Sequence, residues 1–151
     1  MAEAERGVPA AGGRTDERAR ARMRGARVAR LATVGDDGAP HLVPITFAFD
    51  GERIVTAVDH KPKKTTDLRR IRNIRANPQV SILVDHYEDD WTRLWWVRAD
   101  GLAAILERNE ERVAALEPLI AKYSQYAERV PEGPVIRIDV LRYAAWSFTE
   151  G

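Results

Sequence analysis

Apolar and polar residues alternate over short runs separated by Gly, Asp, Asn and Pro, the pattern of strands in hairpins, and only a few stretches carry helical spacing. Thr15 to Arg24 lacks Gly and Pro and predicts a helix, with Thr15 as its cap. Arg27 to Val34 alternates as a strand, Gly35-Asp36-Asp37-Gly38 is a turn, and His41 to Phe49 follows as a second strand. Asp50-Gly51 is a strong hairpin signal, which makes Arg53 to Val58 the partner strand. A helix is expected from Thr66 to Arg75, ended by Asn77-Pro78, and a short buried strand over Val80 to Val84. Trp91 to Leu106 predicts a long strand, or a bent pair around Asp100-Gly101. Asn109 should cap a helix whose Val113, Leu116, Ile120 and Tyr123 share one face, kinked or divided at Pro118. Val135 to Phe148 is the last strand. No internal repeat or low-complexity segment interrupts this order.

About six strands in mostly hairpin order, with a helix at one mouth, predict a small antiparallel barrel of mainly β type with helices. Residues 1–14 hold Gly, Ala, Pro and acids without an apolar segment, so they are expected to form a disordered tail before one domain over 15–151.

The strand ending at Val58 runs into Asp59-His60-Lys61-Pro62-Lys63-Lys64-Thr65-Thr66-Asp67, where three of the four lysines of the chain stand just before a helix. Unpaired N–H groups and the positive end of the helix dipole favour an anion at such a place, and the lysines add full charges. Thr65 or Thr66 can cap the helix. The helix then adds Arg69, Arg70, Arg72 and Arg75 without an acid. A basic loop of this kind also occurs as a plain solvated connection. The unbroken series of cations shifts the reading toward a phosphate or polyanion site.

Composition narrows the classes. The 151 residues are 44% hydrophobic and 31% charged, as in ordinary globular domains, and no apolar run nears the ~20 residues of a membrane span, so a cytoplasmic protein is expected. Net charge is only +1, against binding of nucleic acid through an overall field. The absence of cysteine excludes disulfides, thiolate metal sites and cysteine nucleophiles. His41, His60 and His86 show no metal-binding spacing, and Asp85, Glu88 and Asp89 around His86 read as an acidic surface turn. No serine lies in a nucleophile elbow, and there is no P-loop.

The order of Pro44-containing strand, Asp50-Gly51 hairpin, Lys61-Pro62-Lys63 loop, Asn73-Ile74-Arg75-Ala76-Asn77-Pro78-Gln79-Val80-Ser81 passage and Leu94-Trp95-Trp96-Val97-Arg98-Ala99-Asp100-Gly101 stretch resembles the pyridoxamine-phosphate-oxidase-like split β-barrel family. Within it, the Asp85-His86-Tyr87-Glu88-Asp89-Asp90-Trp91 to Gly101 stretch resembles the flavin/deazaflavin oxidoreductases described as probable coenzyme F420-dependent enzymes. The resemblance runs from about Arg24 to Phe148. It implies a six-stranded split barrel that dimerises and holds a cofactor between subunits.

The resemblance also assigns residues. Lys61 and Lys63 fall on the pair that lines the cofactor phosphate pocket, with lysine where arginine is commoner at the first position. The ring would lie against Pro44, Ile45, Thr46 and Phe47 and against Thr56, Ala57 and Val58, although both segments also fit plain hairpin core. Lys64, Arg69 and Arg72 would hold the glutamate tail of coenzyme F420, and Trp146 stands where the family closes over the ring. Trp95 and Trp96 are adjacent in a strand and so point to opposite faces, which predicts a covering second subunit or, alternatively, a cover by the helix Asn109–Tyr126. The function implied is hydride transfer between the deazaflavin and a small conjugated acceptor. Two alternatives stand beside it. An FMN-dependent pyridoxamine or pyridoxine phosphate oxidase would carry an Arg-x-His-x-Arg pattern near its C-terminus, which Arg142-Tyr143-Ala144-Ala145-Trp146 lacks. A non-catalytic flavin or haem binder is the other, since fold alone does not fix function.

Overall fold

The computed structural model describes residues 13–50, 52–58 and 68–149. The expected tail lies almost wholly outside them. The elements are α1 (Gly13–Gly25), β1 (Ala29–Val34), β2 (Pro40–Ile45), β3 (Ala48–Phe49), β4 (Arg53–Ala57), α2 (Arg69–Ala76), β5 (Gln79–His86), a short 3-10 turn (Trp91–Arg93), β6 (Trp95–Leu106), α3 (Glu110–Lys122), α4 (Ser124–Glu128) and β7 (Val135–Ser147). Seven antiparallel strands make one sheet in the order β2-β1-β5-β6-β7-β4-β3. Consecutive strands β2 and β3 thus lie at opposite edges of the sheet. The chain joins the edges through Thr46 and Phe47, and this curls the sheet into a split barrel.

That junction accounts for a seventh strand where six were expected. The run His41 to Phe49 alternates throughout, but the structure breaks it after Ile45. The Phe47 N–H donates to the Tyr123 hydroxyl (3.2 Å), and that hydroxyl reaches the Phe47 carbonyl (2.9 Å). The Thr46 carbonyl accepts from the Thr56 hydroxyl (2.7 Å). Backbone groups that a continuous strand would pair with a neighbour are satisfied by side chains instead. Asp50 closes the next hairpin, its carboxylate accepting from the N–H groups of Glu52 and Arg53 (2.9 and 2.7 Å).

The barrel interior is filled from every strand and plugged by two helices. Leu31, Ile45, Phe47, Ile54, Ile82, Val84, Val97, Ile136 and Ile138 share one cluster with Ala19 and Met23 of α1 and Ile71 and Ile74 of α2. Arginines of α1 lie over aromatic rings at this mouth: Arg20 over Tyr143 (5.7 Å), Arg22 over Trp95 (4.9 Å) and Arg24 over Phe49 (5.3 Å). These three arginines therefore have a packing role. The helix begins at Gly13, so Thr15 lies inside it and is not its cap.

On the outer face, α3 and α4 cover β3, β4 and the adjoining ends of β6 and β7, burying Ala48, Val55, Ala57, Leu106 and Val135 against Leu116, Leu119, Tyr123 and Tyr126. Asn109 caps α3 as expected, accepting from Arg112 N–H at 2.9 Å. The buried stripe is shifted from the expected one: Leu119 is fully buried and Val113 is 60% exposed. Pro118 sits within α3, and the division falls at Tyr123, whose extended backbone separates α3 from α4. The 12-residue β6 runs unbroken through Asp100-Gly101, and a bulge in its pairing with β7 falls there. No helix among the described residues is long and apolar enough to cross a membrane.

Candidate functional site

The two segments expected to flank a ring are brought together. Thr56 on β4 bonds the Thr46 carbonyl, and the Thr46 hydroxyl shares a 2.7 Å hydrogen bond with Tyr126 of α4. Ile45, Phe47, Thr56, Ala57 and Val58 are buried in this arrangement, and Pro44 is exposed. Phe47 has no exposed surface and belongs to the barrel interior, so what it offers a ligand is its fixed backbone and not its ring.

Lys61, Lys63, Lys64 and His60 lie outside the described residues, as do Thr65 and Thr66. The helix after them starts at Arg69, with extended Leu68 at the cap position and no side-chain cap. The expected capping role of Thr65 or Thr66 falls on residues outside those described. Arg69 pairs with Asp37 of the β1–β2 turn (3.2 Å), and Arg72 is exposed. Exposed pairs of this kind contribute about 0–1 kcal/mol and exchange readily for another anion.

Arg70, which the sequence does not distinguish from its neighbours, is the half-buried arginine of α2. Burial lowers its pKa, and Tyr126 is close enough to act on it electrostatically. It makes no hydrogen bond or ion pair with another described residue. His41, on the interior-facing side of β2, lies within electrostatic reach of Arg69 and Arg70. Burial first, and then these two charges, push its pKa down. Its Nδ1 is buried without a hydrogen-bond partner among the described residues.

Lys122 is a second cation that sequence reasoning missed. Its ammonium lies 4.1 Å from the centre of the Phe47 ring and donates to the Ala26 carbonyl (2.6 Å). Burial, with Arg27 assisting, pushes its pKa down to about 8.

Trp146 stands apart from this group. Thr56 pairs with Ile136 at the start of β7, and Trp146 is ten residues further along the same strand, about 33 Å of extended chain. It pairs instead with Trp96 across β6 and β7. Trp95 and Trp96 do face opposite ways, but both are covered within one chain: Trp95 packs on the interior cluster and Trp96 is 8% exposed. The adjacent tryptophans therefore do not by themselves require a second subunit. Beside them, Asp100 accepts from Ser81 (2.7 Å), Arg98 (3.0 Å) and Arg142 (2.8 Å). Burial pushes the Asp100 carboxyl up, and the hydrogen bonds from Arg142, Ser81 and Arg98 outweigh it to leave the pKa low.

Among the described residues no cluster of His, Asp or Glu is arranged to hold a metal ion. His86 meets Glu88, which also pairs with Arg93 (3.1 Å). What the site does offer is arginines of α2, one of them in an exposed pair with Asp37, a buried imidazole nitrogen without a hydrogen-bond partner among the described residues, and threonine hydroxyls. That donor set fits an anionic, phosphate-bearing cofactor.

Residues 15–147 match the family described as pyridoxamine 5'-phosphate oxidase, and the chain belongs to that family. A 56-residue segment is 39% identical to a 5a,11a-dehydrotetracycline/5a,11a-dehydrooxytetracycline reductase of Streptomyces rimosus, covering 37% of this chain and 38% of that enzyme. The chain thus aligns with well under half the length of that relative. Among solved structures, a conserved hypothetical protein of Mycobacterium tuberculosis superposes with a TM-score of 0.71 at 23% identity, covering 92% of this chain and 87% of the other. An FAD-binding protein of Mesorhizobium loti does so with a TM-score of 0.65 at 21% identity, covering 91% and 96%. At these identities the likeness is one of fold.

Proposed function

We propose that this protein is an oxidoreductase, a coenzyme F420-dependent reductase that passes a hydride to a small conjugated organic acceptor. The observation that carries the reading is the junction at Thr46, where the Thr56 hydroxyl ties strand β4 to the β2–β3 crossover; α2, the next helix in the chain, has three arginines and no acid in its first turn. Membership of the family and the local likeness to a reductase of a dehydro compound support it. When bound, the reduced deazaflavin supplies the hydride, and solvent can supply the accompanying proton. The chain's own task is to bind and orient. Buried Thr56 fixes the Thr46 carbonyl, and Tyr123 fixes both polar groups of Phe47, so the backbone beside the ring keeps one geometry. Lys61, Lys63 and Lys64, with Arg69 and Arg72, would neutralise the phosphodiester and glutamate carboxylates. Exposed Pro44 would supply apolar contact, and Ile45, Ala57 and Val58, whose side chains are packed in the two clusters, would offer their backbone.

Trp146 joins this site only if a second copy of the chain brings it there. The proposed working unit is accordingly a homodimer in which the partner's sheet closes over the ring. The FMN-dependent phosphate oxidase reading is weaker, since Arg142, the one arginine in the Arg142–Trp146 segment, is tied to Asp100.

The test is a binding panel on protein made in a host lacking F420. The protein should purify colourless, bind F420 more tightly than FMN, and reduce a conjugated acceptor with F420H2. Stoichiometric FMN that F420 cannot displace would overturn the cofactor assignment.

A further inference from the structure

Asp37 reaches Arg69 from a turn that the fold holds against α2. The Gly38 N–H donates to the Gly35 carbonyl (3.1 Å), and Gly38 takes a positive φ of 74°, which a side chain would strain. Next to the turn, the Asn73 amide of α2 donates to the Thr33 hydroxyl of β1 at 3.0 Å, and both residues are buried. This approach depends on Gly35, where a Cβ would lie 2.4 Å from the Asn73 amide oxygen. The two oxygens of the Asp37 carboxylate are divided in use. Oδ1 accepts from the Ala39 N–H (3.0 Å), and Oδ2 accepts from the Arg69 guanidinium (3.2 Å). A surface pair is weak partly because two side chains must be held in one geometry. Here the turn already holds the shorter one, so less freedom is lost. Asp36, beside it, is exposed and makes no ion pair with another described residue. The pairing therefore belongs to position 37 and not to the acidity of the turn as a whole.

We infer that Asp37 is a built-in competitor for the anionic ligand of α2: it occupies Arg69 until a ligand anion displaces it, and so selects which anions bind. This deepens the proposed function and rests on the place given there to Arg69, but it does not rest on the choice of cofactor. A ligand that engages Arg69 exchanges one anion for another and gains only the difference. A ligand that stops short of Arg69 leaves the pair intact. A chain of anionic groups anchored elsewhere presents its next group at high local concentration, so it displaces Asp37 more readily than a free anion of the same kind. Asp37 thereby favours long polyanions over short ones.

Inorganic pyrophosphate is the probe, titrated at constant ionic strength and followed by the backbone amide NMR signals of α2. Asp37→Asn removes the charge and keeps an oxygen for the Ala39 N–H, so the turn should survive. It should tighten pyrophosphate binding about two- to fivefold, the range expected of one exposed pair. Asp36→Asn makes the same change in net charge and should leave the midpoint within about 1.5-fold of wild type, because salt screens a charge that touches nothing. In an Arg69→Met background, Asp37→Asn should have no effect. In wild type, pyrophosphate should also shift the Asp37 carboxylate carbon signal as the pair opens. Equal midpoints in wild type and Asp37→Asn, an equal gain in Asp36→Asn, or a gain that persists with Arg69→Met would each overturn the inference. F420 and FMN then separate it from the cofactor reading. Asp37→Asn should strengthen binding of F420, whose glutamate tail is given to Arg69, and leave FMN unchanged. If pyrophosphate responds as expected and F420 does not bind, the cofactor reading falls and the role of Asp37 stands.

Discussion

The Tyr123 hydroxyl accepts a hydrogen bond from the Phe47 backbone N–H at 3.2 Å and lies 2.9 Å from the carbonyl oxygen of the same residue. One side chain of the α3–α4 break therefore holds both polar groups of the residue at which the chain crosses between sheet edges. Its proton is shared between that carbonyl and the Arg27 carbonyl, at 2.8 Å.

Tyr123→Phe keeps the ring and removes this bracket. The Phe47 N–H is buried, so it loses its partner without gaining water, and the expected cost is about 1–3 kcal/mol. Urea unfolding of the two proteins measures it. A difference below ~0.5 kcal/mol would mean that the crossover is held by packing alone.

A Cβ at Gly101 would overlap the carbonyl oxygen of Asp139, a backbone atom of the adjoining strand. The contact sits where the pairing of β6 with β7 shifts by one residue, so neither strand can slide to relieve it. Gly101→Ala should destabilise by about 1–3 kcal/mol through forced backbone movement. Thermal unfolding gives the value. An unchanged midpoint would show that the bulge has room to yield.

Lys122 gives the protein a pH dependence of defined sign. Burial lowers its pKa to about 8 from 10.5, whereas contact with the Phe47 ring favours the charged form without reversing the shift. Between these values the unfolded chain binds more protons than the folded one, so this group adds stability as pH rises from about 8 toward 10. Below 8 its contribution is constant. Comparing urea midpoints of wild type and Lys122→Met at pH 7, 8, 9 and 10 isolates the effect. The difference should move in favour of wild type above pH 8, and a flat difference would refute the assignment.

Much of the architecture is legible in the residues, since caps, turns and alternation are local. Asn109 and Asp50 act where their neighbours say they should. The break at Thr46-Phe47 is not legible, because it is caused by Tyr123, 76 residues away in the chain. For the same reason Val113 reads as a core position: its spacing suits the stripe, but the sheet that α3 covers meets Leu116 and Leu119 instead. In the candidate site, the meeting of Thr46 with Thr56 follows from the hairpin order. The difference between Arg69 and Arg70 does not, because it depends on the turn that delivers Asp37 to one of them.

Trp146 and the Thr46–Thr56 junction lie near opposite ends of the strand system, so a ring-binding site that uses both needs two copies. The outward side of the sheet has the surface for it: Leu42 on β2 is 65% exposed and Leu141 at the β7 bulge is 68% exposed, beside the charge cluster centred on Asp100. An apolar rim around hydrogen-bonded charges suits contact between proteins, provided the charges stay paired. Light scattering should give twice the chain mass of 17.0 kDa at micromolar concentration. Leu141→Asp should weaken association by about 1–3 kcal/mol, roughly 5- to 150-fold in the dimer constant, while leaving the unfolding midpoint of the monomer unchanged. Affinity for the cofactor should fall with the fraction of dimer. A wild-type monomer that binds the cofactor at full affinity would show that Trp146 takes no part and that one chain builds the whole site.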